Sequence, residues 1–257
     1  MSRPVFPVLL LTLALALQAC GEGSAPPRPV TPLDLSTTGT IRGRVTFEGA
    51  PPPMPALPMG SDPGCAAQHA GPVLSGDALV HDGLVENAFV YIAEGLGERV
   101  FAVPSDPVTM DQRGCIYRPR VLGAQAGQPI RFLNSDPLPH NVHGTPAASS
   151  AWNFGMGVQG ASRTIRVAKP EVMISVRCDV HPWMQGWIGV LDHPYFAVTG
   201  ADGRFTLAEV PPGDYVVAVW HERFGRGQSR VQLEPRGARE VAFGFRGSPV
   251  RPAPAGN

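Results

Sequence analysis

The chain has 257 residues with no formal net charge, and only 16% of them are charged, which excludes the basic face that nucleic-acid binding needs. Its 30 Gly and 29 Pro exclude an architecture of long helices. With 43% hydrophobic residues, many alternating with polar ones, the composition points to short strands joined by tight turns, in one large domain or two small ones.

Met1-Ser2-Arg3 is a thin positive start, and Val5 to Leu17 is an apolar run broken only by Pro7 and Thr12. That run is too short to span a bilayer comfortably, so residues 1–19 read as a signal peptide. Leu17-Gln18-Ala19-Cys20 resembles the lipobox of bacterial lipoproteins. The resemblance implies cleavage before Cys20, lipid on Cys20 and attachment to a bacterial membrane facing the periplasm. Gly21 after the Cys, in place of Asp, points to the outer membrane. Residues 20–39, rich in Pro, Ser, Thr and Gly, read as a flexible linker.

Ile41, Val45 and Phe47 alternate with Arg42, Arg44 and Thr46, which predicts a strand with one buried face. Gly49 to Pro53 stops it, and the chain from Pro51 to Ala70 reads as irregular. Asn87 to Ile92 is a second strand. Cys65 and Cys115 form an even pair in an oxidising compartment, which suggests a disulfide. Two separate buried thiols are the alternative, since spacing alone does not bring two Cα atoms within bridging distance.

Pro129 to Asn134 reads as a strand, followed by Leu138-Pro139-His140-Asn141-Val142-His143. Further on, Val172, Ile174, Val176 and Cys178 share one face by period-two alternation and Met173, Ser175 and Arg177 the other, so Cys178 ends a core-facing row. Cys178-Asp179-Val180-His181-Pro182-Trp183-Met184 then sets a thiolate, an imidazole and a thioether at C-x-x-H-x-x-M spacing, and Gln185 to Leu191 returns as a strand. Two His, one Cys and a long axial Met make the type 1 blue-copper arrangement; the second His must come from a distant segment.

From about Val108 to Asp192 the chain resembles the cupredoxins amicyanin and plastocyanin, in the Pro-His-Asn segment after a strand and in the short C-x-x-H-x-x-M loop. The resemblance implies one copper ion held by His140, Cys178, His181 and Met184, with His143 a non-ligand. It also implies that Asn141 ties the upstream loop to the residue after the Cys, here Asp179, where many relatives carry Ser or Thr. Leu138, Pro139, Pro182 and Trp183 would crowd the edge of His181. That edge would be either an apolar patch for brief docking of a redox partner or a face covered by a second sandwich. Trp183 and Trp187 read as packing residues. His221 reads as structural, and His69, His81 and His193 have no metal spacing.

Gly200-Ala201-Asp202-Gly203 is a turn, Arg204 to Leu207 a strand, Val210 to Asp214 a turn and Tyr215 to Trp220 a strand; Val231 to Leu233 and Val241 to Phe245 follow. Thr199 to Leu207 with Val210 to Tyr215 resembles the carboxypeptidase regulatory-like (transthyretin-like) sandwich. Gly43-Arg44-Val45 and Phe89-Val90-Tyr91 supply that family's opening strands, far upstream. The expected fold is therefore all-β: a Greek-key cupredoxin sandwich (103–192) inserted in, or joined to, a small sandwich built from 40–102 and 193–246, with a disordered tail at 247–257.

The implied function is single-electron transfer by a monomeric, non-enzymatic periplasmic protein, docking briefly with a partner such as a cytochrome or dehydrogenase. Copper storage, delivery or sensing would use the same ligands, and a scaffold that has lost its ion is a third possibility. No His-x-His pair of the kind oxidases and nitrite reductases need is present, nor a C-x-x-C-H haem motif, nor H-E-x-x-H.

Overall fold

The first strand follows from its alternation: β1 (Gly39–Glu48) buries Ile41, Val45 and Phe47 and exposes Arg42, Arg44 and Glu48. The computed structural model describes residues 28–247. The expected signal peptide, Cys20 and the tail beyond 247 lie outside the described residues. Within them the chain is all-β, with eighteen strands and two short helical segments. No helix there is long and apolar enough to cross a membrane.

After β1 come β2 (Val80–His81), β3 (Leu84–Val85) and β4 (Phe89–Glu94). The middle of the chain supplies β5 (Val108–Gln112), β6 (Tyr117–Arg118), β7 (Val121–Gln125), β8 (Pro129–Asn134), β9 (His140–Gly144), β10 (Trp152–Met156), β11 (Ser162–Arg166), β12 (Glu171–Arg177) and β13 (Gln185–Leu191). The last five are β14 (Phe196–Val198), β15 (Arg204–Val210), β16 (Gly213–His221), β17 (Gly225–Leu233) and β18 (Ala238–Arg246).

These strands make four sheets and two sandwiches. One sandwich joins the chain's two ends: β1 pairs antiparallel with β15 and parallel with β18, facing a sheet ordered β14-β4-β16-β17. Ile41, Val90, Leu207, Val217 and Val241 lie in its core. The other is built from the middle strands, with sheets ordered β10-β9-β12-β13-β7 and β11-β8-β5-β6. Met110, Phe132, Val142, Ile174, Val176 and Ile188 lie in its core. Each large apolar side chain so buried contributes roughly 1.5–3 kcal/mol. A third cluster, Phe89, Val121, Leu191 and Trp220, forms the seam between the two sandwiches.

Three details differ from the sequence expectation. The stretch around Met59 and Cys65, expected with the small sandwich, packs on the core of the middle one, with Leu57, Ala66 and Val73 against it. It carries a 3-10 turn (Met59–Ser61) and α1 (Pro63–Ala66). The expected linker is pinned before β1 starts: Thr31 N–H donates to the Val100 carbonyl at 2.8 Å, and the Val100 N–H donates to Thr31 Oγ1 at 3.0 Å. Finally, a register shift between Glu171 and Ile174 breaks the predicted row, so Val172 joins Met173 at the seam, while Ile174, Val176 and Cys178 stay in the core.

Candidate metal centre

Two loops meet at one end of the middle sandwich because β9 and β12 are neighbours, with Arg177 opposite His143 and Val176 opposite Gly144. β9 opens on His140, and β12 ends one residue before Cys178. The loop between β12 and β13 is closed on itself. The Met184 N–H donates to the His181 carbonyl at 2.9 Å, and the Cys178 N–H to the Met184 carbonyl at 3.3 Å. On the other side, the Asn134 side-chain amide donates to the Leu138 carbonyl at 2.9 Å and the Met156 carbonyl at 2.9 Å. The Tyr117 hydroxyl lies 3.0 Å from the carbonyls of both Asn141 and Arg177, spanning β9 and β12.

His140, Cys178 and His181 converge, their candidate ligand atoms all within 4.8 Å of one another and all three residues buried. Nδ1 of His140 faces Nδ1 of His181 at 2.9 Å, and Cys178 Sγ lies 3.8 Å from His181 Nδ1. Met184, fully buried, sits in the same loop. His143 lies apart, with Nδ1 3.0 Å from Asp179 Oδ1.

The far edge of each imidazole is taken by a carboxylate. His140 Nε2 is 2.9 Å from Asp136 Oδ2, and His181 Nε2 is 3.0 Å from Asp62 Oδ2. An ionised carboxylate only accepts, so each Nε2 carries the proton and each Nδ1 turns its lone pair inward. Two lone pairs facing at 2.9 Å repel unless a proton or cation lies between them. Imidazole nitrogens bind a first-row ion at about 2.0–2.1 Å, so two on one ion at a near-tetrahedral angle lie roughly 3.3 Å apart. The donor set, two imidazoles and a thiol, therefore fits a soft or borderline transition metal in chemistry and in spacing.

Without a metal, the charges around the site favour a proton on the inward-facing nitrogen of His140. Burial raises the Cys178 thiol, but hydrogen bonds from His140 and from the N–H groups of Asn141, His181 and Val180 outweigh it and hold the thiol below its ordinary value. Burial opposes a charged His140, yet the Asp136 carboxylate and the Cys178 sulfur push it up to about 9. Burial also raises Asp136, but His140 and the N–H groups of Cys115 and Gly114 leave it below the usual carboxylate range. Asp179 is held low by His143 first, then by Asn153 and Asn141.

Asn141 joins the two loops: its Nδ2 donates to Asp179 Oδ2 at 2.9 Å, and its Oδ1 accepts from the Asp179 N–H. Its backbone N–H points to Cys178 Sγ at 3.5 Å. Cys65 and Cys115 are bonded, with Cα atoms 5.6 Å apart. Of the four apolar residues expected at the edge of His181, Pro139 and Pro182 are exposed and Leu138 and Trp183 half-buried. The His181 ring itself is 2% exposed, with its Nε2 covered by Asp62. Sequence reasoning missed Asp62 and Asp136. Asp136, four residues before His140, offered a local signal; Asp62, 119 residues from His181, offered none. Of the other histidines, His69 Nε2 meets the Gly114 carbonyl, His81 Nε2 meets Glu86, and His193 Nε2 meets the Ile92 carbonyl.

No protein-family model and no curated protein matches the chain. Among solved structures it is similar to a Cu-containing nitrite reductase from Thermus scotoductus SA-01, at 24% identity and a TM-score of 0.32 over 40% of this chain and 26% of that one. It is similar to a purple cupredoxin from Nitrosopumilus maritimus at 18% identity and a TM-score of 0.29, over 32% of this chain and 98% of that one. A reduced amicyanin variant matches at 22% identity and a TM-score of 0.31, over 39% of this chain and 97% of that one. The chain spans about a quarter of the nitrite reductase's length.

Proposed function

We propose that the protein is a type 1 copper protein that passes single electrons, with His140, Cys178, His181 and Met184 holding one ion. The observation that carries this reading is the buried meeting of two inward-facing Nδ1 atoms with the Cys178 sulfur. Copper, when bound, supplies a Cu(II)/Cu(I) couple. The chain supplies the rest. Cys178 offers a thiolate, the imidazoles are fixed in one tautomer, and the loop closed by the Cys178 and Met184 backbone bonds keeps the donors in place. Burial of His140 and His181 keeps bulk water off the site. A donor set that moves little between oxidation states suits electron transfer.

The lipobox-like Leu17 to Cys20 supports a lipid-anchored, periplasmic carrier, attached to the outer membrane and docking transiently with a redox protein. No catalytic reaction is proposed. The small sandwich, resembling the regulatory-like family, is taken as an accessory domain.

The test is a visible spectrum and a redox titration of the copper-loaded full chain. An intense thiolate-to-Cu(II) band, lost in Cys178→Ser, with a reversible one-electron couple, is the expected result. One observation favours a second reading, copper holding without turnover: the covered edge of His181. Tight Cu(I) binding with no stable Cu(II) form would establish that instead, and failure to bind copper at all would overturn both.

A further inference from the structure

Two Gly-Cys dipeptides, far apart in sequence, treat the two ligand imidazoles alike. The N–H groups of Gly64 and Cys65 donate to Asp62 Oδ1 at 2.9 and 3.3 Å, and Asp62 Oδ2 takes His181 Nε2. The N–H groups of Gly114 and Cys115 donate to Asp136 at 2.6 and 2.8 Å, and Asp136 Oδ2 takes His140 Nε2. The Cys65–Cys115 disulfide joins the two dipeptides, and both sulfurs lie within 4.8 Å of a His181 ring nitrogen. Each imidazole thus hangs from a carboxylate, each carboxylate from a Gly-Cys backbone, and one covalent bond fixes the distance between the backbones.

We propose that Asp62 and Asp136 are positioning residues for the two ligand imidazoles, and that the Cys65–Cys115 disulfide is the staple that sets their separation. This rests on the copper reading above and adds to it a redox-tuning device. A carboxylate accepting the outer N–H of a ligating imidazole fixes its tautomer and orientation and makes the inner nitrogen a stronger donor. A stronger donor with negative charge behind it favours Cu(II) over Cu(I). The staple matters because Asp62 reaches the site only through α1 and its neighbouring turn, a short segment that belongs to no sheet. Without the covalent tie, that segment is held only by side-chain packing and by hydrogen bonds such as His69 to the Gly114 carbonyl and Arg120 to the Ser75 carbonyl, and the position of Asp62 over His181 is less tightly fixed.

Asp62 is the better residue to test, because its side chain is 34% exposed and lies outside the strands, whereas that of Asp136 is 1% exposed. The experiment compares the full chain as wild type, Asp62→Asn, Asp62→Ala and the Cys65→Ser, Cys115→Ser double variant. It reads Cu(II) affinity, Cu(I) affinity, reduction potential and the Cu(II) EPR spectrum, with near-UV circular dichroism of the metal-free chains reporting the fold. Asp62→Ala is expected to lose Cu(II) affinity by about 10–100-fold and Cu(I) affinity by less. Each tenfold selective loss of Cu(II) raises the potential by about 59 mV. Asp62→Asn, which keeps an acceptor but removes the charge, is expected to raise the potential with a smaller loss of affinity. The double variant should broaden the EPR spectrum and raise the potential in the same direction. A role confined to holding the segment in place would leave the potential of Asp62→Asn at the wild-type value. If wild type binds copper and all variants match it in affinity and potential, the inference is overturned while the copper reading stands. If wild type binds no copper, both fall.

Discussion

The guanidinium of Arg120, on the middle sandwich, meets the carboxylate of Glu222, on the small one, with Nη2 2.8 Å from Oε2. The same Oε2 accepts from the Trp187 indole N–H at 3.1 Å, and Arg120 Nη1 donates to the Ser75 carbonyl at 2.8 Å. Both charged side chains are largely shielded, at 18% and 8% exposure. Removing one partner of such a pair leaves the other charged and unpaired, at a cost of about 3–5 kcal/mol. Glu222→Ala should therefore lower the urea midpoint by that equivalent and split unfolding into two transitions as the sandwiches uncouple. A midpoint within the spread of wild-type repeats would show that the pair does not hold the seam.

Asp179 sits beside the sulfur-bearing residue with its carboxylate held by His143, Asn141 and Asn153. These donors keep it ionised, and in the proposed copper site a fixed negative charge beside Cys178 would favour Cu(II). Asp179→Asn is expected to raise the reduction potential of the copper-loaded protein. Redox titration of the two proteins in the same buffer checks it; equal midpoints would remove Asp179 from the account of the potential.

His221 provides a pH dependence away from the metal centre. Its Nδ1 accepts from the N–H groups of Arg223 and Phe224, and its ring stacks on Phe224 at 4.3 Å. Burial, with Arg120 and Arg223 nearby and only Asp77 and the Glu86 carbonyl opposing, pushes its pKa down from 6.5 to about 4. Folded His221 is therefore neutral where the unfolded chain already binds a proton. Between 6.5 and about 4 the unfolded state holds more protons, so stability is complete above that window and is lost as pH falls through it. The shift corresponds to roughly 3 kcal/mol. Urea unfolding of the metal-free chain across this window should steepen downward on acidification, and His221→Gln should flatten the slope. An unchanged slope in the variant would assign the acid sensitivity to other groups.

Much of this architecture was legible in the sequence because strands with one buried face announce themselves by alternation. Ile41, Val45 and Phe47 needed nothing beyond a period of two, and the C-x-x-H-x-x-M spacing singled out Cys178 and His181, which the structure brings together with His140. What was not legible depended on contacts without a period. Irregular chain carries no signal of which core it will join, so the allegiance of Met59 and Cys65 was hidden until the bond to Cys115 fixed it. The register shift after Glu171 moved Val172 off the face that strict alternation assigned to it. Asp62 was invisible for the same reason: it lies in a stretch that reads as irregular, and even its role as the cap of α1 does not reveal that its second oxygen meets His181.

The seam between the sandwiches also depends on the absence of side chains. Gly189 on β13 and Gly123 on β7 leave a flat notch, into which the small sandwich places the rings of Phe89 and Phe196, stacked at 5.7 Å. A Cβ on Gly189 would lie 2.4 Å from Phe89 Cζ, and one on Gly123 would lie 2.4 Å from the Phe196 ring. Phe89 is fully buried and cannot swing into solvent. Gly189→Ala must push the ring or part the sheets, an overpacking cost of about 1–3 kcal/mol. Phe89→Ala leaves a cavity and costs about 3–5 kcal/mol. In the double variant the vacated ring space takes up the new methyl group, so the two effects should fall short of additivity by a large part of the Gly189→Ala cost. Urea unfolding of the four proteins closes the cycle. Strict additivity would mean that Phe89 does not occupy the notch in solution, and that the sandwiches meet by some other surface.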